Sequence, residues 1–285
     1  MINAAFKPIG LIGHPVSHSL SPLMHNSALK ACDLNMCYMA FDVPPQHLHD
    51  SVQGMIALGF VGFNVTIPHK ENILPFLDEV DLGARAMGAV NTVVIRDGKT
   101  KGYNTDGGGF LASLRDRGIE ARGEILVFGA GGAARAVAVA MALEGVQRVT
   151  IANRSLENAR EISRIVEDLG VKSHAVSLEG GDLKEKLKMA NIVVNATPVG
   201  MSPRENAPPV FDTAYLKTSA VVCDLVYRPR DTTLLRAARS RGCTTIGGLG
   251  MLLYQGAQAF ELFTDLKPPI EIMREALAVG LLPYM

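Results

Sequence analysis

Apolar and polar positions alternate in short blocks along most of the chain. Short apolar runs rich in β-branched residues, such as residues 62–67 and 220–225, predict buried strands. Longer amphipathic or alanine-rich segments between these runs predict helices. Strands and helices that alternate in this way are typical of an α/β protein with largely parallel sheets. The chain has 285 residues, which is longer than a single compact core usually supports, so we expect two domains.

The first part of the chain predicts a strand over residues 7–13 and helices over residues 22–32 and 46–58. The strand over residues 62–67 then runs into Pro68, a residue that favours the first position of a helix. Such a helix would place Lys70 in its first turn, where the helix dipole and partial burial favour loss of the ammonium proton. Lys70 is therefore a candidate for proton transfer, and the alternative is a solvated surface lysine.

A β-hairpin is predicted where Asp97-Gly98 separates two strand-like runs, residues 90–96 and 99–104. With those two residues as the turn, the register places Asn91 opposite Asn104. Asn91 then lies within about two strand residues of Asp106, roughly 7 Å along the chain.

The second part of the chain predicts a doubly wound dinucleotide-binding domain. After a helix opened by three glycines at 107–109, six strands with intervening helices are expected at residues 125–128, 149–152, 173–177, 191–196, 220–225 and 243–246. Two final helices, over residues 249–263 and 269–281, could belong to either domain, because periodicity does not decide between them.

A glycine-rich turn, Gly129-x-Gly131-x-x-Ala134, follows the first of these six strands and opens a predicted helix. In that context the glycines would let the backbone approach a pyrophosphate, whose charge a helix N-terminus favours. The alternative is a strand-to-helix turn without a ligand.

The end of the next strand carries Asn153, Arg154 and Ser155. Dinucleotide enzymes that prefer NAD place an acidic residue there, on the ribose 2′-hydroxyl. A guanidinium suits a 2′-phosphate instead, so Arg154 predicts NADP as the cofactor, unless it is a solvated arginine at a strand end.

Two hydroxyls, those of Ser19 and Ser21, stand directly before the first predicted helix, with Pro22 at its first position. Several hydroxyls at the positive end of a helix form a site for a carboxylate or a phosphate. Simple helix capping would explain Ser21 but not Ser19.

Composition narrows the class of partner. The chain has 28 basic and 28 acidic residues, few aromatic residues and no tryptophan, which argues against a nucleic-acid partner. The histidines form no ligand pair on a helix, so we expect no metal site. We also expect no signal peptide and no membrane association, because no long apolar run is present. Four scattered cysteines fit a reducing cytoplasm: Cys32, Cys37, Cys223 and Cys243.

Taken together, eight motifs resemble those of the biosynthetic, NADP-dependent shikimate dehydrogenases, in order and over nearly the whole chain. They are HSLSP at 18–22, NVTIPHK at 64–70, GAVNT at 88–92, NTDG at 104–107, GAGGA at 129–133, NRS at 153–155, NAT at 195–197 and GGLGMLLYQ at 247–255.

The resemblance implies reversible reduction of 3-dehydroshikimate to shikimate by NADPH, in the pathway to chorismate and the aromatic amino acids. It implies that Lys70 and Asp106 form the catalytic pair. The implied substrate-binding residues are Ser19, Ser21, Asn64, Thr66, Lys70, Asn91, Asp106, Tyr227 and Gln255. The implied NADP-binding residues are Gly129, Ala130, Gly131, Gly132, Ala133, Asn153, Arg154, Ser155, Thr197, Leu225, Gly248 and Met251.

The resemblance also implies the domain organisation. Residues 1–106 would form the substrate-binding and catalytic domain, with helices from about residue 250 to residue 285 packing back onto it. Residues 107–249 would form the NADP-binding Rossmann domain. The family resemblance allows either a monomer or a homodimer.

One departure from the family pattern concerns the cofactor. Biosynthetic members often carry a second arginine four residues after the first, but this chain has Asn158 there, and Arg160 two residues further on. The 2′-phosphate is then bound by Arg154 alone, or Arg160 also reaches it from the next turn of the helix.

Three other functions remain as alternatives. The runner-up is a quinate/shikimate dehydrogenase that uses NAD or both cofactors, although no acidic residue replaces Arg154. A non-catalytic sensor of shikimate or NADP belongs to a different class. A two-domain folate dehydrogenase also combines a lysine with a dinucleotide domain, but it would not need Ser19 and Ser21.

Overall fold

A computed structural model describes residues 3–281. These residues divide into two compact units, one made of residues 3–105 and 253–281 and the other of residues 106–252. Each unit is built on its own six-stranded sheet. The α/β class and the two-domain architecture predicted from the sequence are confirmed.

The first unit is built on a mixed sheet with the strand order β2-β1-β3-β5-β6-β4. The strands β1 and β2 are parallel, as are β1 and β3, whereas β5 runs antiparallel to both β3 and β6. Its strands are β1 (Lys7–Gly13), β2 (Met36–Asp42), β3 (Gly62–Val65), β4 (Glu79–Val80), β5 (Thr92–Arg96) and β6 (Lys99–Tyr103). Its first helices are α1 (Ser21–Ala31), α2 (Leu48–Ala57) and α3 (Leu82–Met87).

The hairpin between β5 and β6 has the predicted turn and register. The pairs run from Arg96 opposite Lys99 to Thr92 opposite Tyr103. Asp97 and Gly98 have φ angles of 51° and 75°, the left-handed conformation that a two-residue hairpin turn requires. The ladder continues beyond the strands, because the backbone N–H of Asn91 donates to the Tyr103 carbonyl over 3.0 Å.

The second unit is a doubly wound parallel sheet with the strand order β12-β11-β10-β7-β8-β9. The order reverses between β7 and β10, which is where such sheets bind dinucleotides. Its strands are β7 (Glu124–Phe128), β8 (Arg148–Asn153), β9 (Lys172–Ser177), β10 (Ile192–Asn195), β11 (Val221–Asp224) and β12 (Thr244–Gly247). Its helices are α4 (Asp106–Arg115), α5 (Gly132–Leu143), α6 (Leu156–Asp168), α7 (Asp182–Met189) and α8 (Thr233–Ser240).

Alternate residues of β7 supply the cores on the two faces of this sheet. Ile125 and Val127 face the cluster that contains the buried alanines and valines of α5. Leu126 and Phe128 face the opposite cluster, where the Phe128 ring stacks on Phe211 with centroids 4.5 Å apart. A central strand buried on both faces explains the continuous apolar run in the sequence. The small side chains of α5 let that helix pack closely against the sheet and so fix the turn at its start.

The last two helices are α9 (Leu249–Thr264) and α10 (Ile270–Leu281), and α10 packs against α1 in the first unit. Gly280 allows this approach, because a Cβ there would lie 2.8 Å from a Leu23 methyl group and 3.0 Å from one of Leu20. Of the expected range 250–285, residues 282–285 lie outside the described residues. Within residues 3–281, none of the helices is long and apolar enough to cross a membrane.

The predicted helix starting at Pro68 is wrong. Residues 67–73 form consecutive turns, followed by a short 3₁₀ helix at Leu74–Phe76. The fully buried His69 ring holds these turns, because its Nε2 donates to the Val43 carbonyl over 2.7 Å. This tertiary anchor overrides the local preference of Pro68 for a helix start. The helix that was expected to carry Lys70 in its first turn is therefore absent from residues 67–73.

Candidate active site

Ser19 and Ser21 lie at the start of α1, but their roles differ from the prediction. Ser21 is the first helical residue and Leu20 occupies the capping position without a side-chain hydrogen bond. The Ser21 backbone N–H instead donates to the Ser19 hydroxyl oxygen over 3.2 Å. Ser19 therefore satisfies a free amide of the helix start, and capping explains Ser19 rather than Ser21.

Asn64, on β3, is held by three hydrogen bonds. Its Oδ1 accepts from the Tyr38 hydroxyl over 2.7 Å. Its Nδ2 donates to the Asn91 carbonyl over 3.1 Å and to the Thr92 hydroxyl over 2.9 Å. Both amide protons of Asn64 are thus used, so this side chain can only accept a hydrogen bond from a ligand.

Asn91 lies at the centre of a second group of polar side chains. Its Oδ1 accepts from the Thr105 backbone N–H over 2.8 Å and from the Thr92 hydroxyl over 3.0 Å. Its Nδ2 donates to the Thr105 hydroxyl over 2.9 Å and to Gln255 Oε1 over 3.3 Å. The first unit therefore brings Asn64, Asn91 and Gln255 together in one network, although they are far apart in sequence.

Lys70 is half-buried and its backbone joins the same region. The Val90 N–H donates to the Lys70 carbonyl over 2.8 Å, directly before Asn91. Thr66, also half-buried, extends β3 beyond its last strand residue, since its N–H donates to the Ile12 carbonyl over 2.9 Å. Thr66 and Lys70 are thus placed at the carboxyl ends of β1 and β3, where ligands bind in open α/β sheets.

Asp106 is the first residue of α4 and is 4% exposed. It directly follows Thr105, whose backbone N–H is held by Asn91. The two segments that carry Lys70 and Asp106 are therefore hydrogen-bonded to consecutive residues, Val90 and Asn91. The turn at residues 67–73 and the end of the hairpin therefore fix these segments.

The glycine-rich turn after β7 fits a pyrophosphate. Gly129 has a φ of +108°, and a Cβ there would lie 3.1 Å from the Ala196 carbonyl oxygen. A Cβ at Gly131 would meet open space, so the backbone is accessible there. Gly131 caps α5 without a side-chain hydrogen bond, which leaves the first amides of the helix for an anion. The turn Gly129, Ala130, Gly131, Gly132 and Ala133 can therefore cradle a phosphate.

The end of β8 exposes Arg154, while its neighbours take part in local bonds. Asn153 Nδ2 donates to the Ser155 carbonyl over 3.0 Å, and Ser155 caps α6 by accepting from the Asn158 N–H. The Ser155 hydroxyl also donates to Asn158 Oδ1 over 3.1 Å. Arg160 forms an ion pair with Glu157 at 3.5 Å, on the outer surface of the helix.

The carboxyl ends of β10 and β11 are joined by a buried pair, Asn195 and Asp224. Asn195 Nδ2 donates to Asp224 Oδ1 over 2.9 Å, and Asn195 Oδ1 accepts from the Thr197 hydroxyl over 2.6 Å. Asp224 also accepts from the Thr232 hydroxyl over 2.6 Å and from the Val226 N–H over 3.1 Å. Burial raises the pKa of Asp224, and these hydrogen bonds oppose the rise. The pair fixes Thr197 at the switch point of the sheet.

Tyr227, Leu225, Gly248 and Met251 also belong to the second unit. Burial raises the pKa of Tyr227, so its hydroxyl stays a donor near neutral pH. A Cβ on Gly248 would overlap the Leu225 backbone, so two strand ends approach each other here. Met251 is 9% exposed and packs in the core, and half-buried Leu225 packs against the same cluster.

Reasoning from the sequence did not identify three residues of these networks as functional: Tyr38, His69 and Asp224. His69 lies in the NVTIPHK motif and Asp224 in the predicted strand over residues 220–225, but nothing in the sequence shows that their side chains are buried. Tyr38 lies on β2, a strand that was not predicted. The apolar run from Met36 to Val43 is the signal that could have found it.

The comparisons with known proteins all indicate the same family. Residues 11–93 match the family model of the shikimate dehydrogenase substrate-binding domain. Residues 116–231 match that of shikimate/quinate 5-dehydrogenase, and residues 248–278 that of the shikimate 5′-dehydrogenase C-terminal domain.

A relative from Methanopyrus kandleri, named shikimate dehydrogenase (NADP(+)), is 48% identical over 279 residues, which cover 97% of this chain and 96% of that protein. A crystal structure of a shikimate dehydrogenase in complex with NADP⁺ has a TM-score of 0.91 and 46% identity, covering 98% of this chain and 97% of the other. A shikimate 5-dehydrogenase from Listeria monocytogenes, in complex with shikimate and NAD, has a TM-score of 0.92 and 39% identity, covering 97% and 98%. This chain belongs to the shikimate dehydrogenase family.

Proposed function

We propose that this protein is an NADP-dependent shikimate dehydrogenase, which reversibly reduces 3-dehydroshikimate to shikimate. The observation that carries the proposal is the polar network of the first unit. It joins the amides of Asn64, Asn91 and Gln255, and the same unit carries a hydrogen-bonded serine pair at the start of α1. A compact acid with several ring hydroxyls matches this set of donors and acceptors.

The carboxylate of the substrate is assigned to Ser19 and Ser21, with the Tyr227 hydroxyl as a further donor. Hydroxyl donors at the start of α1 suit a carboxylate, because the positive end of the helix stabilises the charge. Ring hydroxyls are assigned to Asn64, Thr66, Asn91 and Gln255. Since both protons of Asn64 are used within the protein, a ring hydroxyl must donate to its Oδ1.

Proton transfer is assigned to Lys70 and Asp106. Reduction of the ketone places negative charge on its oxygen, and a proton must reach that atom. The Lys70 ammonium would donate this proton and take it back in the reverse reaction. The Asp106 carboxylate would accept a hydrogen bond from the same substrate hydroxyl and so orient it.

NADPH supplies the hydride when it is bound. The turn from Gly129 to Ala133 would hold its pyrophosphate, and Arg154, with Asn153 and Ser155 beside it, would hold the 2′-phosphate. Thr197, Leu225, Gly248 and Met251 would line the channel for the nicotinamide end. The guanidinium of Arg154 can form two parallel hydrogen bonds to a phosphate, which explains a preference for NADP over NAD.

The location and assembly of the enzyme are part of the same proposal. We assign it to the cytoplasm, where it would serve the pathway to chorismate and the aromatic amino acids. The four cysteines are free thiols, as a reducing compartment favours. A homodimer is compatible with this activity, but no step of the reaction requires a second copy.

The test is a spectrophotometric assay of the purified protein with each of four pairs: shikimate or quinate with NADP or NAD. We expect shikimate-dependent reduction of NADP to have the highest kcat/KM. Absence of turnover with every pair, together with binding of shikimate or NADP, would favour the sensor and overturn the proposal.

Oxidation of quinate with NAD is the second candidate activity. The Listeria relative with shikimate and NAD, and the shikimate/quinate name of the matching family model, favour it. A higher kcat/KM with quinate and NAD than with shikimate and NADP would replace the proposed reaction by this one. We expect the opposite order, because Arg154 stands where an NAD enzyme has an acidic residue.

A further inference from the structure

Two buried side chains occupy the same position on neighbouring strands of the second unit. Asn195 ends β10, Asp224 ends β11, and the two residues are partners in the register of these strands. Each is 1% exposed. Asn195 Oδ1 accepts from the Thr197 N–H over 3.1 Å, and Asp224 Oδ1 accepts from the Val226 N–H over 3.1 Å. Each side chain thus forms a turn directly after its own strand.

The hydrogen bond between these two side chains couples the turns. A backbone N–H can only donate, so the Asn195 atom that faces the Thr197 N–H is Oδ1, and Nδ2 faces Asp224. Asp224 Oδ1 therefore accepts from Asn195 Nδ2 over 2.9 Å as well as from the Val226 N–H. One carboxylate oxygen is thus the common acceptor of the turn after β10 and the turn after β11.

The second carboxylate oxygen of Asp224 is anchored to a helix. Its Oδ2 accepts from the Thr232 hydroxyl over 2.6 Å. The same hydroxyl caps α8, because its oxygen accepts from the Leu235 N–H over 3.3 Å. Asp224 is therefore held from three directions, by the end of β10, by the turn after β11 and by the start of α8.

The two turns carry residues that are assigned to the nicotinamide end of the cofactor. Thr197 lies in the turn after β10 and approaches the glycine-rich turn, because a Cβ on Gly129 would lie 3.2 Å from the Thr197 methyl group. Leu225 lies in the turn after β11, and its backbone would overlap a Cβ on Gly248. A shift of either turn would therefore move the residues that line the proposed channel.

We propose that Asp224 is a positioning residue that holds these two turns in the arrangement that binds the nicotinamide half of NADP. The proposal rests on the proposed function, because it names the cofactor of that reaction. Asp224 is buried and both its oxygens accept from the protein, so it acts through the turns. Without the carboxylate, Asn195 Nδ2 and the Val226 N–H would lose their common acceptor. The turns would then be less preorganised, which weakens binding.

The test compares two ligands by isothermal titration calorimetry, NADP and adenosine 2′,5′-bisphosphate. The bisphosphate carries the 2′-phosphate assigned to Arg154 but lacks the nicotinamide half. We expect Asp224→Ala to raise the Kd for NADP about tenfold and to change the Kd for the bisphosphate by less than about twofold. An unchanged Kd for NADP, or equal losses for both ligands, would overturn the proposal.

Two variants separate positioning from a general loss of stability. Asp224→Asn keeps an oxygen for Asn195 and Val226, and its amide can donate to the Thr232 oxygen, so the Kd for NADP should return to within about threefold of wild type. Thr232→Val removes the α8 cap but leaves Asp224 Oδ1 with both donors. It should lower the free energy of unfolding and leave the Kd for NADP within about twofold.

The opposite results for these variants would contradict the proposal. They are an Asp224→Asn variant that binds NADP as weakly as Asp224→Ala, and a Thr232→Val variant with the same loss as Asp224→Ala. If Asp224→Ala does not fold, Asp224→Leu takes its place, because it fills the space of the side chain without supplying an acceptor. The same pair of dissociation constants is then expected.

These results are distinguishable from failure of the proposed function. If the wild-type protein shows no shikimate-dependent reduction of NADP, the function itself is refuted, while the two dissociation constants still measure the role of Asp224. If the wild type is active and Asp224→Ala binds NADP as the wild type does, only the role of Asp224 is refuted.

Discussion

His25 provides a quantitative test of the packing around Tyr38. The ring is 1% exposed, and within the described residues neither of its nitrogens has a hydrogen-bond partner. Burial lowers the pKa of His25 from 6.5 to about 3. The folded protein therefore keeps this ring neutral at every pH at which the unfolded chain would protonate it, down to about pH 3. Such a group lowers the free energy of unfolding as the pH falls below 6.5.

The magnitude follows from the two pKa values. At pH 5 the unfolded histidine is almost fully protonated and the folded one is almost fully neutral. Because pH 5 lies 1.5 units below the unfolded pKa of 6.5, the free energy of unfolding is about 2 kcal/mol lower at pH 5 than at pH 8. This figure hardly depends on the folded pKa, provided that it is about 4 or lower. Above about pH 7.5 the contribution vanishes.

The assay is urea unfolding of wild type and His25→Phe at pH 8 and pH 5. Between these pH values the wild type should lose about 2 kcal/mol more than the variant, because all other titrating groups are shared. His47→Gln, which changes an exposed histidine, serves as the control and should behave like the wild type. Equal losses in wild type and His25→Phe would show that His25 is not buried in the neutral form.

Three further predictions concern the ligand sites and their support. Arg154→Ala should raise the KM for NADP at least tenfold and leave that for NAD nearly unchanged, and equal effects in steady-state assays would remove Arg154 from the 2′-phosphate. Ser19→Ala should raise the KM for shikimate about tenfold, because the hydroxyl assigned to the carboxylate is lost; an unchanged KM in steady-state assays would remove Ser19 from that subsite. Asp224→Ala should lower the free energy of unfolding by about 3 kcal/mol in urea titrations, because three buried donors lose their acceptor, and a loss below about 1 kcal/mol would show that these bonds contribute little.

Elements with a strong local signal were predictable from the sequence. The strand β1 matches its predicted bounds, and the Asp97-Gly98 turn fixes the register of β5 and β6. All six strands of the second unit were found, and apolar runs marked four of them, β7, β8, β10 and β11. Their spatial order, by contrast, follows from the doubly wound topology as a whole.

Elements that depend on tertiary contacts were missed or wrong. Pro68 favours a helix start locally, but the burial of His69 against Val43 selects turns instead. The strand β2 was not predicted, although residues 36–41 form an apolar run. It is held by parallel pairing with β1 and by Asn26, contacts that the sequence cannot show.

In the candidate site, too, the features that depend on residue type were predictable, and those that depend on contacts between distant residues were not. Residue types at Ser19, Lys70 and Arg154 indicated the chemistry of a carboxylate, a proton and a phosphate. The direction of a hydrogen bond depends on partners that are distant in sequence, such as Tyr38 and Asn64. For this reason the hydrogen bond between Tyr38 and Asn64 could be found only from the folded structure.

The central claim is that Lys70 transfers the proton in this reaction. The most direct measurement is the kcat and KM of Lys70→Ala for shikimate with saturating NADP, beside the wild type. We predict that kcat falls by at least about a thousandfold while the KM for shikimate changes by less than about threefold. A large rise in KM with an unchanged kcat would contradict this account and would make Lys70 a binding residue.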